Sequence, residues 1–453
     1  MEWRLSCGVV FAGILTAAAS AEFRVNTETT YAQSYPDIAT AGNQGFVAVW
    51  RSYRQDGDSG GIFAQRLDAA GQRLGNEFQV NESTAGDQTE PAVAADAGGG
   101  FAVVWRGPGA DGLDEEIYIR RYDLAGAPLG AEVTVNSITA GNQSLPRIAM
   151  NADGMHVVVW QNENPEAGPY ERGGSLQVFD SAGGRLAGEL QFNADVDCRY
   201  PDVAMGSHGN FVVAWLQDRP HNAIQIRLYD ASGIAKTAPM QVNQADFGSV
   251  TKPSVAIDGM GNFVVAWDGH EQYSALDDIH ARIFDANGVP ITDQFLVNMN
   301  RQGEQEDPSV AVTSQGIFTV TWYSDNDHPR HEKDVFGRMF NCEGQAIGPE
   351  FCPHVWVAED QKYPAVTMTE SDRFLAIWQS YKQDGSNYGI YGMLGPSTIA
   401  ADLTGDGLVN FRDFAKFAAQ WHLNQPGCRE DFNDDGTVSQ ADAQILFELW
   451  LEP

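Results

Sequence analysis

Hydrophobic and polar positions alternate with a period of two over short runs along most of this chain, and the runs themselves recur. One unit reads Pro91-Ala-Val-Ala-Ala, a Gly/Asp turn, and the apolar run Phe101-Ala-Val-Val-Trp105. A polar loop follows, then the alternating Ile117-Tyr-Ile-Arg-Arg-Tyr122, a glycine hairpin, and a last segment ending Val135-Asn136. Short alternating runs between turn residues, with no helical period, predict antiparallel β structure with four strands to the unit.

A proline and a tryptophan fourteen residues apart mark each copy: Pro36/Trp50, Pro91/Trp105, Pro146/Trp160, Pro201/Trp215, Pro253/Trp267, Pro308/Trp322 and Pro364/Trp378. Successive copies are offset by 55, 55, 55, 52, 55 and 56 residues. Four strands in a period of this size predict a propeller blade, because blades stacked in a ring leave only short, protected edges. The seventh unit has three strands and ends near Ile390-Tyr-Gly-Met393. Its missing strand stands at the other end of the chain, where Phe23-Arg-Val-Asn26 resembles Phe78-Gln-Val-Asn81 and Phe295-Leu-Val-Asn298. The expected fold is therefore all-β: a seven-bladed β-propeller over residues 22–394, closed by its N-terminal strand. An open solenoid would need capping ends that this sequence lacks. The period is too long for a WD40 unit, and hairpins such as Leu67-Asp-Ala-Ala-Gly71 lack the Asp box of sialidases.

Residues 1–21 carry Arg4, an apolar run from Val9 to Ala19, and Ala19-Ser-Ala21, the pattern of a secretory signal peptide. This predicts a secreted or cell-surface protein, and no other stretch is long and apolar enough to span a membrane. Secretion permits disulfides, and Cys342 and Cys352 flank one hairpin of the sixth unit, so a bond between them is expected. Cys198 and Cys428 have no evident mates. The net charge of −33 argues against nucleic acid and is compatible with calcium and uncharged polar ligands.

The composition changes after the linker 395–401. Asp402-Leu-Thr-Gly-Asp-Gly-Leu-Val-Asn-Phe-Arg-Asp413 is echoed 29 residues later by Asp431-Phe-Asn-Asp-Asp-Gly-Thr-Val-Ser-Gln-Ala-Asp442. Side-chain oxygens at loop positions 1, 3, 5, 9 and 12, with glycine at 6, suit a twelve-residue loop wrapped around Ca²⁺. The donors are Asp402, Thr404, Asp406, Asn410 and Asp413 in the first loop, and Asp431, Asn433, Asp435, Ser439 and Asp442 in the second. Leu408 and Thr437 would add backbone carbonyls. Apolar helical faces follow each loop, through Phe414, Phe417 and Trp421 and through Ile445, Leu449 and Trp450. Loop then helix, twice over residues 402–453, resembles a type I dockerin. The resemblance implies two calcium ions and a cohesin-type partner contacted through Phe411, Arg412, Gln440 and Ala441. These four depart from the Ser/Thr pairs usual in that family, and Thr404 stands where Asn or Asp is usual. A calcium-stapled cap that binds nothing in trans is the alternative.

The strand order places two sets of loops on one face: those entering each blade before the proline and those after each tryptophan. Ten of the fourteen tyrosines fall there, namely Tyr31, Tyr35, Tyr53, Tyr170, Tyr200, Tyr273, Tyr323, Tyr363, Tyr381 and Tyr388. Blades 7 and 1 become neighbours on closure and carry near-identical loops, Ser52-Tyr-Arg-Gln-Asp-Gly57 and Ser380-Tyr-Lys-Gln-Asp-Gly385. The expected ligand patch is Tyr35, Tyr53, Tyr363, Tyr381 and Tyr388 interleaved with Asp56 and Asp384, a surface suited to sugar rings. A second polar constellation comprises His221, Asp268, His270, Glu271, Asp325, Asp327, His328, His331 and Glu332, at spacings that match no metal motif. No nucleophile elbow, phosphate loop or Cys/His pair is present, and no catalytic residue is assigned. The leading expectation is a non-catalytic binding or display protein for polysaccharide or protein; the alternatives are a polysaccharide-degrading hydrolase or lyase, and a purely structural surface protein.

Overall fold

The computed structural model describes residues 22–395 apart from 43–44, 111, 113, 164–171, 194–196, 220, 245–246, 272–275, 326–332, 356–357 and 370–372. The expected signal peptide, both calcium loops with all their ligands, and the four partner-contact residues lie outside the described residues, as do Tyr170 and Tyr273. Every named element among the described residues is a strand, and no helix there is long and apolar enough to cross a membrane.

The strands form seven antiparallel four-stranded sheets. In the first, Gln33–Thr40 pairs with Phe46–Tyr53, which pairs with Gly60–Leu67, which pairs with Arg73–Gln79. The proline-bearing strands of neighbouring blades meet around the axis and are innermost. Their inward edges are capped by the preceding blade: Asp37 Oδ2 accepts the Val93 N–H and Asp202 Oδ2 the Val255 N–H, both at 2.8 Å. Ser254 and Ser309 do the same for Val310 and Val366, each at 3.2 Å. Second strands such as Phe46-Val-Ala-Val-Trp50 are buried on both faces because each blade is sandwiched between two others.

Hydrophobic clusters fill the gaps between blades, two of them between blades 6 and 7, and each gap takes in the tryptophan of the following blade. Trp105 packs among Val47, Val49 and Ile62 of blade 1, and Trp50 among Leu375, Ile377 and Ile390 of blade 7. All seven repeat tryptophans are 1% exposed or less, which makes them scaffold.

The ring closes as the sequence predicts. Phe23 and Arg24 pair with Gly392 and Tyr391 in the fourth place of blade 7, and the Val25 N–H reaches the Ile390 carbonyl at 2.7 Å. The recurring Val-Asn acquires a reason. Asn26, Asn81, Asn136, Asn243 and Asn298 each accept, through Oδ1, the N–H of Ile390, Ile62, Ile117, Ile224 or Ile279 at 2.8–2.9 Å. The outermost strand is short, so a side chain completes what a ladder would have supplied. In blade 6 His354 takes this place, its Nε2 accepting from Val335 at 3.1 Å.

One expectation fails here: Cys342 and Cys352 are not joined by a disulfide. Cys342 sits in the hairpin turn beyond the Phe340/Ala346 pair, whereas Cys352 follows Phe351, paired with Gly337 at the other end of the strand. Five residues of strand separate the two ends by roughly 15 Å, far beyond disulfide reach.

A candidate binding site at the mouth of the central channel

The end of each innermost strand before the proline pairs with the end of the second strand after the tryptophan, as in Ser34 with Arg51 and Lys362 with Gln379. Both sets of loops therefore share one face, as the strand order predicts. At this end all seven innermost strands carry a one-residue irregularity around the proline. The residue before it adopts a positive φ in every blade: Tyr35, Glu90, Leu145, Tyr200, Asp307 and Tyr363 at 50–54°, and Lys252 at 21°. An L-residue here costs about 1–3 kcal/mol, and bulges of this kind re-aim a side chain. Seven such residues, one per blade, ring the mouth of the channel.

Contacts between blades show that these side chains converge. The Tyr35 and Tyr363 rings lie 5.4 Å apart, and Tyr323 meets Tyr363 edge-on at 5.8 Å. Lys252 of blade 5 places its Nζ 5.6 Å from the Tyr200 ring and 6.0 Å from that of Tyr363, two blades away, while bonding Asp307 of blade 6. On the opposite arc Glu90 accepts the Leu145 N–H at 2.7 Å, and Arg106 lies 3.4 Å from Glu90 and 3.6 Å from Glu115.

Charge at the mouth is set by this packing. Burial draws the Lys252 ammonium down, but Asp307 more than offsets it, leaving its pKa raised. Burial and the Asp307 charge push the Tyr323 phenol well above its ordinary range. Beneath them Asp268 is 4% exposed; burial pushes its carboxyl up to about 8, against the pull of its bond with Thr251. Its Oδ1 has no hydrogen-bond partner among the described residues. Perturbed groups gathered around one charge pair mark a functional candidate.

The residues expected to form one patch fall into three groups. Tyr35 and Tyr363 stand at the mouth. Tyr53 packs edge-on against Tyr31 at 6.0 Å, with the Arg54 guanidinium 5.1 Å from its ring. Tyr381 pairs with Tyr388 at 4.9 Å, under the Lys382 ammonium. Asp56 and Asp384 brace their own loops: Asp56 accepts the Asp58 N–H and the Asn81 amide at 3.3 Å, and Asp384 accepts the Ser386 N–H at 3.0 Å. Gly61 and Gly389 make room for them, since a Cβ there would lie 2.5 and 2.8 Å from the carboxylate oxygens.

In the second constellation His270 contacts Asp277 at 2.7 Å, Glu271 approaches Arg301 at 3.8 Å, and Asp325 accepts the Glu304 N–H at 2.7 Å. His221 is exposed, and Asp327, His328, His331 and Glu332 lie outside the described residues. Among the described residues no cluster could hold a metal ion. Motif reading missed Glu90, Leu145, Lys252 and Asp307 as a set. Their signal was positional: the proline is constant across the repeats, whereas the residue before it runs Tyr, Glu, Leu, Tyr, Lys, Asp, Tyr.

No protein-family model matches the chain, and no curated protein matches it. Among solved structures, a protein of unknown function from Dyadobacter fermentans is similar with 12% identity and a TM-score of 0.51, covering 83% of this chain and 98% of the other. An ulvan lyase from a new family of polysaccharide lyases, bound to -[GlcA(1-4)Rha3S]-, is similar with 11% identity and a TM-score of 0.51, covering 84% of this chain and 96% of the other. At this identity the likeness is one of fold: this chain shares its ring of blades with both.

Proposed function

We propose that this chain is a secreted, non-catalytic glycan-binding protein, whose channel mouth holds a polysaccharide and whose C-terminal segment anchors it. The observation that carries the reading is the ring of seven strained pre-proline residues, three of them tyrosines. Backbone strain repeated in every blade persists where it presents side chains for use, and tyrosine faces match the C–H faces of sugars while their hydroxyls reach polar groups. The solved lyase of similar fold acts on a polysaccharide, which is in keeping with this reading. The last strand pairs Tyr388 with Tyr381 at the mouth end and Leu394 with Leu375 at the far end. This last strand thus runs from the mouth to the opposite face of the ring.

The anchor in this proposal is the pair of calcium loops at 402–413 and 431–442, with the oxygen donors named above, docking a cohesin-type module. Calcium would neutralise the clustered carboxylates and fix each loop for the helix that follows. Chelation with EDTA should abolish helical signal while the propeller's β signal persists; helix content indifferent to EDTA would contradict the calcium assignment.

A second reading, glycoside cleavage, is favoured by one observation: the Asp268 carboxyl stays protonated near neutral pH close to the Asp307 charge, a separation of roles used in acid–base catalysis. The full burial of its Oδ1 weighs against direct contact with substrate. One experiment separates the readings. The mature chain, in calcium, is scored on a polysaccharide panel for both retention and release of reducing ends. Retention without release is expected; release supports the second reading, and neither result on any glycan rejects both.

A further inference from the structure

We infer that the mouth selects uncharged glycans and excludes polysaccharides bearing uronate or sulfate groups, an inference that rests on the glycan-binding reading above. A site for a polyanion needs cations free to meet it, as charge-assisted bonds to carboxylate and sulfate provide most of the affinity. Most of the cations set around this mouth are already matched; the exposed Arg147, next to Pro146, donates to the Pro146 carbonyl and acts on the Asp37 and Asp202 carboxyls. Lys252 bonds Asp307, and Lys333 bonds Glu306. Arg106 lies against Glu90 and Glu115, and Arg51 is 2.6 Å from Asp87. Arg199 is 2.8 Å from Asp218 and 3.3 Å from Asp197, and Lys362 is 2.6 Å from Asp360. Arg54, on the loop after Trp50, faces the rings of Tyr31 and Tyr53 instead of a carboxylate.

A ligand carboxylate that took Lys252 would strand Asp307, whose side chain is only 13% exposed, leaving a largely desolvated carboxylate without its cation. The neutral state of the Asp268 carboxyl keeps the Lys252/Asp307 pair balanced at neutral pH instead of leaving a surplus of negative charge. Over longer range, 61 acidic against 28 basic residues repel a polyanion before contact. What the mouth offers without breaking an ion pair is apolar and aromatic: Tyr35, 44% exposed, with Tyr363, Tyr200 and Leu145. These stack on sugar C–H faces and are indifferent to ligand charge. The ulvan lyase of similar fold is bound to a glucuronate and a sulfated rhamnose, so the same ring would serve ligands of opposite electrostatic character.

The test is affinity electrophoresis of the mature full chain, with calcium, through gels containing xyloglucan, galactomannan or mixed-linkage β-glucan, against gels containing polygalacturonate, alginate or carrageenan. Retardation is expected in at least one neutral gel and in none of the charged ones. It should change less than about twofold between roughly 50 and 200 mM salt, a range over which polyanion contacts weaken steeply. Asp307→Asn, which unpairs Lys252, and Asp87→Asn, which unpairs Arg51 at a partly exposed site, should each create retention on polygalacturonate. Retention confined to charged gels, or neutral retention that collapses with salt, overturns the inference while leaving the glycan reading intact. No retention by either class overturns both.

Discussion

Two rings of seven residues, fifteen positions apart in each repeat, obey opposite rules. The tryptophans are identical, buried and packed between blades; the pre-proline residues are of five types, partly exposed and held in a backbone conformation that suits none of them. Replacing a tryptophan leaves a void between two blades, so the ring itself dictates that residue. At the bulge the same ring dictates only the backbone, and the side chain is free to be chosen by what it meets. Under the proposed function, the difference separates scaffold from recognition within a single repeat.

Trp267→Ala should destabilise the propeller by about 3–5 kcal/mol, read as a fall in the denaturant midpoint; a loss under about 1 kcal/mol would remove the tryptophans from the scaffold. Asn298→Ala, which orphans the Ile279 N–H, should cost about 1–3 kcal/mol in the same assay.

A pH titration of stability probes two buried titratable groups on the second strands. The unfolded chain ionises Asp268 near its ordinary 3.8, while the folded chain holds the proton up to about 8. The folded state therefore binds more protons between these values, and this group makes stability fall as pH rises through that window and level off above it. Asp268→Asn should flatten that slope. His156 works in the other direction: burial depresses it to about 4, so its contribution is present above about 6.5 and is lost as pH falls toward 4. An unchanged slope in Asp268→Asn would contradict the buried neutral acid. The smallest effect is the most specific. Glycine tolerates positive φ, so Tyr35→Gly should be about 1 kcal/mol more stable than Tyr35→Ala, the reverse of the order in an ordinary strand.

The fold was legible because its signals are repeated and local: the Pro/Trp spacing, the two-residue alternation, and Val-Asn at Asn26, which located the closing strand. The disulfide was misread because Cys342 and Cys352 are close in sequence yet stand at opposite ends of a strand. The candidate site was half legible. Tyr35 and Tyr363 could be found from loop composition, whereas Asp56 and Asp384 turned inward over glycines, a packing that loop similarity does not reveal. The bulge runs against local preference, since a residue before proline ordinarily avoids helical backbone and favours extended conformations. Only the joint demand of neighbouring blades places it there, so Lys252 and Asp307 could not be joined across blades by reading either repeat alone.

The proposed function assigns recognition to the pre-proline ring. It is tested most directly by comparing glycan retention of Tyr35→Ala/Tyr363→Ala with that of Tyr53→Ala/Tyr381→Ala, each checked for intact β structure. The mouth pair should lose about tenfold or more in affinity, equivalent to ~1.4 kcal/mol, while the outer pair stays within about twofold of the unaltered protein. Retained binding in the mouth pair, with loss in the outer pair, would move the site to the loops and contradict the account.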